Sequence, residues 1–530
     1  MKILYINPAR LEAGLDAIIK GAPLSLISIA AMVPEHDAHL FDFKVDKYRE
    51  RRFRNELNRT DVVSITSMTP QIYHAFDVAD MAKEHGCTTI IGGYHPTLAP
   101  KFVANHQSVD YVIRGEGEHT FKELIDHLNE ERDHHALKNI DGLSYKNRTG
   151  TIIHNKERQL ECNLDSLPRP RRDLLKGKTY SYLGATTRQI ETSRGCPHNC
   201  KFCCIIKMWR NSNQNVVYRT KSIKRIMQEI YDVDWKNRFI FFCDDNFSIN
   251  LKRTNKILDT IIRSGVQNKL HFSCQSRVDT LYRNPDLIDK FDKAGFRQIF
   301  LGIESIHQQS LDAMNKKNTT SEMVKKVVKM LRDKGISIFG GVIIGFPGET
   351  KRMVRQNIRY AVDLDLDCVQ FTPITAFPGT DFYDEMKQGH KITTKNFKFY
   401  DLFHPMMRTD ELTSREMQKL VAEAYAEFYL ASGWFSRRAK EYLNPFGKFN
   451  WMIPSIGKLA KQGILGGLGM LYSQGITPKI ISEELKDEEN LMKDINSEYE
   501  DLPHTYSKEV SPIISAIPKR KIAKVGQIET

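Results

Sequence analysis

The sequence predicts an α/β protein: a doubly wound parallel sheet, then a partial (β/α)6 barrel, then a helical C-terminal region. Three observations predict this. Two series of short apolar runs alternate with helical patterns, the mark of parallel sheets covered by helices. A proline-rich connector, Leu164-Asp165-Ser166-Leu167-Pro168-Arg169-Pro170, separates the two series. Beyond Thr380 the apolar spacing becomes helical.

The first series is expected to place strands over residues 2–6, 38–43, 61–66, 88–91 and 111–113, with helices such as 24–32 and 72–83 between them. Gly92-Gly93 follows the fourth strand and Gly115-Glu116-Gly117-Glu118 the fifth. Glycines there let backbone approach a ligand in the crevice at the strand ends. This domain spans 1–135. A hairpin turning near Arg148-Thr149-Gly150 and a linker fill 136–185.

The second series, 186–385, is expected to place strands over 189–192, 239–243, 271–274, 298–303, 337–344 and 369–372, with helices such as 220–233 and 321–334. Six units make a barrel, whose active site belongs at the strand C-terminal ends. In the helical region, 386–480, Thr413-Ser414-Arg415-Glu416 is a capping box. It opens a stripe of Met417, Leu420, Val421, Ala424 and Phe428 that Gly433 ends. Residues 451–472 are apolar but carry Lys458 and Lys461. They read either as a helix packed on the barrel or as an interfacial, substrate-admitting helix. The last residues, 481–530, turn acidic and then basic, as a mobile tail does.

At 530 residues the chain has room for two or three cores, and charged residues at 27% with aromatics at 10% exclude wholesale disorder. The net charge of +13 is spread rather than concentrated, and no aromatic-and-basic recognition module is visible, so no nucleic-acid partner is expected. The same charge suits acidic substrates or an anionic membrane surface. No signal peptide and no long apolar span are evident. Nine cysteines without a secretion signal point to reduced thiols and a cytoplasmic location, with membrane association as the variant reading.

The chemistry is carried by Glu191-Thr192-Ser193-Arg194-Gly195-Cys196-Pro197-His198-Asn199-Cys200-Lys201-Phe202-Cys203. Cys196, Cys200 and Cys203 can ligate three irons of a cubane and leave the fourth iron open. His198 keeps a zinc site open by count, but a tight cysteine loop at a barrel mouth argues against it. The other barrel cysteines, Cys204, Cys243, Cys274 and Cys368, read as small buried residues.

This loop resembles that of the radical SAM superfamily. The resemblance implies a [4Fe–4S] cluster and S-adenosylmethionine (SAM) chelated to its open iron, whose cleavage gives a 5′-deoxyadenosyl radical. It puts Phe202 near the adenine. Asp244-Asp245-Asn246 resembles the acidic motif that accepts from the SAM amino group, and Arg277 suits the SAM carboxylate. Gly302-Ile303-Glu304-Ser305 matches the strand end near ribose and methionine. Gly341 to Pro347, with Gly341 and Gly345, matches the element along the adenine.

The N-terminal half resembles the Rossmann-like cobalamin-binding domain often fused to such barrels, through Ser64-Ile65-Thr66, Gly92-Gly93-Tyr94-His95 and Asp110 to Glu118. The histidine loop of many cobalamin proteins has no counterpart: Asn7-Pro8-Ala9-Arg10 holds none. Cobalamin bound without a protein histidine ligand is therefore the favoured reading, and a retained scaffold the other. Across most of its length the chain resembles the anaerobic magnesium-protoporphyrin monomethyl ester cyclases, bacteriochlorophyllide methyltransferases and hopanoid methylases. That resemblance implies a hydrophobic small-molecule substrate, such as a chlorophyll-type tetrapyrrole, and an electron donor such as flavodoxin or ferredoxin. Cobalamin-dependent C-methylation is the favoured reaction and oxidative cyclisation the alternative. A sensor without turnover would not need the filled SAM positions.

Overall fold

The computed structural model describes residues 1–9, 19–130, 133–182, 185–210, 218–233, 239–444 and 447–449. The apolar segment 451–472 and the tail 481–530 lie outside the described residues.

Along the chain come β1 (Lys2–Asn7), β2 (Ile19–Lys20), β3 (Asp37–Asp42), β4 (Val62–Thr66), β5 (Thr88–Gly92), β6 (Tyr111–Ile113), β7 (Leu143–Lys146) and β8 (Ile152–His154). All but β2 form a seven-stranded sheet in the order β3-β1-β4-β5-β6-β7-β8. The first five in that order are parallel. Side chains alternate between two cores. Leu4, Ile6, Val63, Ile65 and Ile91 meet the helix Ile72–Glu84, while Ile3, Tyr5, Val62, Ile90 and Ile113 meet Leu24–Ala30 and Gly117–Asn129. The chain leaves β1 towards β3 and returns to β4 on the other side. The switch point therefore lies beyond Asn7 and Thr66, where open sheets bind ligands.

The hairpin expected as part of a linker is instead the antiparallel edge of this sheet. β7 pairs with β6, and β8 with β7, around Gly150 at φ +81°. β6, the last parallel strand, is only three residues long, and the hairpin pairs the side that β5 leaves open.

Then come β9 (Ser181–Tyr182), β10 (Ala185–Ile190), β11 (Ser193–Arg194), β12 (Arg219–Thr220), β13 (Phe239–Phe242), β14 (His271–Ser276), β15 (Phe296–Glu304), β16 (Ser337–Ile344) and β17 (Cys368–Pro373). The second sheet runs β17-β16-β15-β14-β13-β10-β9-β2, and its six strands from β17 to β10 are parallel. This is the six-unit barrel, left open, with β9 and β2 added antiparallel at one edge. One face of each strand packs on the helices through Ile190, Ile240, Phe272, Leu301 and Phe371. The alternate face carries half-buried Gln189, Phe241, Gln275, Phe300 and Gln370, so the lumen is accessible and lined by amides and rings.

After the barrel, Phe397, Phe399, Tyr400 and Met406 leave the second unit and complete the core of the first. The helix Ser414–Tyr425 starts at the expected capping box, with the Glu416 carboxylate accepting from the Thr413 N–H at 2.9 Å. Its stripe packs on the barrel, continues through a π-helical turn over Ala426–Ala431, and stops at Gly433. Among the described residues, no helix is long and apolar enough to cross a membrane.

Candidate active site

The cysteine loop leaves β11, which pairs with β12, so its base is fixed from both sides. Gly195 turns it with φ +91°, and the Gly195 N–H donates to Asp245 at 3.0 Å. Within the loop the Cys203 N–H donates to the Cys200 carbonyl at 3.0 Å. From outside, the turn at 314–316 holds it: the Met314 carbonyl accepts from Lys201 at 3.0 Å, and the Asn315 amide donates to the Asn199 carbonyl at 2.7 Å. Cys200 is buried, and Cys196 and Cys203 are half-buried.

Burial pushes all three thiols up, and the proximity of Cys200 and Cys196 pushes Cys203 further in that direction. The cations Lys316 and Arg277 act the other way on Cys200. Among the described residues, no three His, Cys, Asp or Glu side chains converge closely enough to hold a single metal ion. The sulfurs of Cys196 and Cys200 are close enough to act on Cys203. A loop-borne C-x3-C-x2-C thiolate triad, faced by two cations, fits a [4Fe–4S] cubane.

The two acidic residues after β13 are employed differently. Asp244, 1% exposed, accepts from the Thr192 N–H at 2.6 Å, the Thr192 hydroxyl and the Ser193 hydroxyl at 2.5 Å. Both its oxygens are spent on holding the start of the cluster loop. Asp245 uses a single oxygen, which takes the Gly195 N–H and the Trp209 indole N–H at 2.8 Å. Burial raises its carboxyl to about 6.

Arg277 lies beside the loop with its guanidinium on Asp279 at 2.9 Å, close enough to act on Cys196 and Cys200. Glu304 ends β15 in the left-handed region, φ +64°, where a non-glycine residue is strained. It is ion-paired there with Lys316, which also donates to the Gly302 carbonyl at 3.0 Å. Gly302 leaves room for that pair, because a Cβ would press on the ends of both its side chains. Phe202 packs on the barrel core with its ring 6.0 Å from that of Phe346. Gly341 leaves room for the Phe300 ring, and Gly345, at φ +83°, lies under Met417.

The ends of the first sheet face this loop. Gly93, at φ +110°, comes so near the β4 turn that a Cβ would stand 2.9 Å from the Ser67 carbonyl. Gly92 and Gly115 have open space or ordinary contacts at that position. Met68 is 46% exposed although its turn is otherwise buried. Ser64 is buried in mid-strand, two residues short of the crevice. Tyr94 closes the gap between the domains. Burial, Asp245, Cys204 and Cys203 all push its phenol well up, and its helix packs on the helix Ile205–Arg210. His95 is fully buried, 4.5 Å from the Phe397 ring and 3.3 Å from the Thr69 hydroxyl, and burial lowers it to about 3. It is a packed histidine, with its Nε2 buried and unpartnered among the described residues.

Known proteins match both halves. The radical SAM superfamily matches residues 190–361, and the B12 binding domain residues 19–125. An uncharacterised methyltransferase of Pyrococcus horikoshii is 33% identical over 444 residues, which cover 81% of this chain and 93% of that protein. The chain belongs to the radical SAM superfamily, in its B12-binding branch. The anaerobic magnesium-protoporphyrin IX monomethyl ester cyclase of Cereibacter sphaeroides is 25% identical, covering 82% of this chain and 71% of the relative. The hopanoid C-3 methylase of Methylococcus capsulatus is also 25% identical, covering 83% and 82%. The fold is similar to that of the cobalamin-dependent radical SAM enzyme OxsB, with TM-score 0.63, 18% identity, and coverage of 94% of this chain and 82% of that one. It is likewise similar to the methyltransferase TsrM from Kitasatospora setae, with TM-score 0.59, 17% identity, and coverage of 73% and 78%.

As a member of this branch the enzyme works with a [4Fe–4S] cluster, SAM and cobalamin. The crevice fits a corrin in that backbone is open at Gly115 and the strand ends lie against the cysteine loop. Of the nearby imidazoles, His74 is tied to Ala9 at 3.1 Å, and His95 is fully buried, with Nδ1 3.3 Å from the Thr69 hydroxyl and Nε2 without a partner among the described residues. Three contributors escaped the sequence reading of the site, Lys316, Trp209 and Arg219, while Tyr94 stands within a matched motif that gives it no role. Lys316 sits in a turn with no motif of its own, and no sequence signal marks it. Trp209 lies six residues past Cys203 and Tyr94 directly after Gly93.

Proposed function

We propose that this enzyme is a cobalamin-dependent radical SAM C-methyltransferase acting on an unactivated carbon of a large hydrophobic substrate, such as a chlorophyll-type tetrapyrrole. The observation that carries the proposal is the meeting of two mouths. The cysteine loop and the glycine-lined crevice face each other across Tyr94, so hydrogen abstraction and methyl delivery can serve one bound substrate. When bound, the cluster and SAM supply the abstracting radical and cobalamin supplies the methyl group.

The protein's own residues take the remaining roles. Cys196, Cys200 and Cys203 hold the cluster, and Asp244 fixes their loop through Thr192 and Ser193. The oxygen of Asp245 that is free of Gly195 and Trp209 accepts from the SAM amino group. Glu304, held by Lys316, binds the methionine or ribose end, and Arg277 steadies the cluster side. Phe202, Gly341 and Gly345 shape the adenine slot. On the lumen face Phe241 and Phe300 offer flat apolar contacts and Gln189, Gln275 and Gln370 offer amide anchors, which suits a large flat substrate with polar edges. Flavodoxin or ferredoxin is the expected electron donor.

Oxidative cyclisation is the second reading, favoured by relatives named as cyclases at the same degree of identity. Anaerobic turnover with a pigment and lipid extract separates the two by product mass. Methylation adds one methylene, and deuterated SAM methyl labels it. A product changed in oxygen or hydrogen count, without label, would replace the first reading with the second.

A further inference from the structure

The cluster loop is fastened to the cobalamin-binding domain by a closed ring of side chains. Arg194 stands on β11 immediately before Gly195 and Cys196. Its guanidinium meets Glu116 at 2.9 Å, in the turn after β6, and Glu118 at 2.6 Å, in the first turn of the helix Gly117–Asn129. Arg219, opposite Arg194 in the β11–β12 pair, puts one nitrogen against both oxygens of Glu116, at 2.8 and 2.9 Å. The guanidinium of Arg219 also lies over the Trp209 ring, 5.2 Å from its centroid. Trp209 donates to Asp245, and the same oxygen of Asp245 accepts from Gly195, which closes the ring at Arg194.

These charges are out of solvent: Arg194 is 9% exposed, Glu118 7% and Arg219 3%. Buried ion pairs contribute little net stability, because desolvation offsets their attraction. Forked contacts to a carboxylate do fix geometry. One carboxylate of the cobalamin-binding domain thus grips both strands from which the cluster loop springs.

We propose that Glu116 is a positioning residue that sets where the cluster loop stands relative to the cobalamin crevice. By holding Arg194 and Arg219 together, it also orients Asp245 through Trp209. This rests on the cluster and SAM assignments made above. Glu116 is thereby one of the links that hold the two domains in register, beside Glu118, and its removal takes an acceptor from two buried guanidinium groups.

The test uses enzyme reconstituted anaerobically with iron, sulfide and hydroxocobalamin. Glu116→Gln keeps the shape without the charge, Glu116→Asp keeps the charge on a shorter arm, and Arg219→Lys loses the fork. Glu123→Gln, in the helix that Glu116 precedes and paired with Arg158 of the loop after β8, is the control. Amide hydrogen exchange, SAM affinity and the EPR spectrum of the reduced cluster with SAM are measured. Glu116→Gln should retain iron and cobalamin, speed exchange at Gly195 and Cys203 roughly tenfold, and weaken SAM binding by about the same factor. Its EPR signal with SAM should become a mixture. Glu116→Asp should fall between Glu116→Gln and wild type, Arg219→Lys should behave like Glu116→Gln, and Glu123→Gln should match wild type.

Unchanged loop exchange and SAM affinity in both Glu116→Gln and Arg219→Lys would overturn the proposal. So would exchange that rises equally throughout β4 and β5, because Glu116 would then serve the domain rather than the loop. Wild-type protein that held no cluster or cobalamin would instead overturn the functional reading, and the exchange comparison, readable without cofactors, would still decide the clamp.

Discussion

Asp244 and Asp245 are adjacent in sequence and opposite in employment. The acidic motif marked both as SAM contacts, because a sequence does not say which carboxylate is already satisfied. Asp244 spends both oxygens on Thr192 and Ser193, whereas Asp245 keeps one without a partner among the described residues. A prediction follows from the burial of Asp245, which raises its carboxyl to about 6 from an ordinary value near 4. Between those values the folded protein holds a proton that the unfolded chain has lost. Stability therefore falls as pH rises through that window, and the full penalty stands above pH 6 or so. Asp245→Asn does not ionise. In cofactor-free protein it should be more stable than wild type at pH 8, by about 1 to 2 kcal/mol, and no more stable at pH 4. The same variant should bind SAM at least several-fold more weakly, as measured by equilibrium dialysis on the reconstituted enzyme. Equal stability at both pH values would show that Asp245 is solvated rather than poised for a cationic ligand. Lys316 is the clearest case of a residue that could not be read. Its importance comes from the left-handed Glu304 it holds, and neither a φ angle nor a contact fourteen residues back to Gly302 leaves a trace in the sequence.

At the scale of elements most of the fold was legible. Every expected parallel strand is present, because apolar runs bounded by glycine and polar turns leave few alternatives. The boundaries moved where the ends are polar, as in β10, which ends at Ile190 rather than 192. The hairpin was legible as a hairpin but not as the edge of the first sheet, since pairing to β6 depends on which edge is left free. Gly93 was legible as a glycine the fold needs, for a reason that the structure changes. It lets the turn after β5 approach the turn after β4. Gly93→Ala should therefore cost more than Gly86→Ala, which shares a positive φ, +77°, but has nothing within reach of a Cβ. The second substitution should cost about 1 kcal/mol, the backbone term alone, and the first at least twice that. Thermal denaturation of the two variants checks the order, and cobalamin retention on gel filtration should fall only for Gly93→Ala.

At the scale of the whole molecule, the sequence set out two units in order but not the strap between them. Phe397, Phe399 and Tyr400 read as part of a helical C-terminal region, yet they complete the core of the first domain around His95 and Phe102. Contacts three hundred residues apart have no periodicity to betray them. Phe397 is 1% exposed, so Phe397→Ala should destabilise that domain by about 3 to 5 kcal/mol and loosen cobalamin retention, with iron content unchanged. Loss of iron instead would mean that the strap supports the barrel. The central claim is that one cysteine loop, facing one cobalamin crevice, starts the chemistry. Iron content and 5′-deoxyadenosine formation in wild type and the Cys196→Ala, Cys200→Ala, Cys203→Ala triple variant, both loaded with cobalamin, test it most directly. Wild type should hold about four irons and cleave SAM, and the variant should do neither while keeping cobalamin. A triple variant that still bound iron and formed 5′-deoxyadenosine would contradict the account.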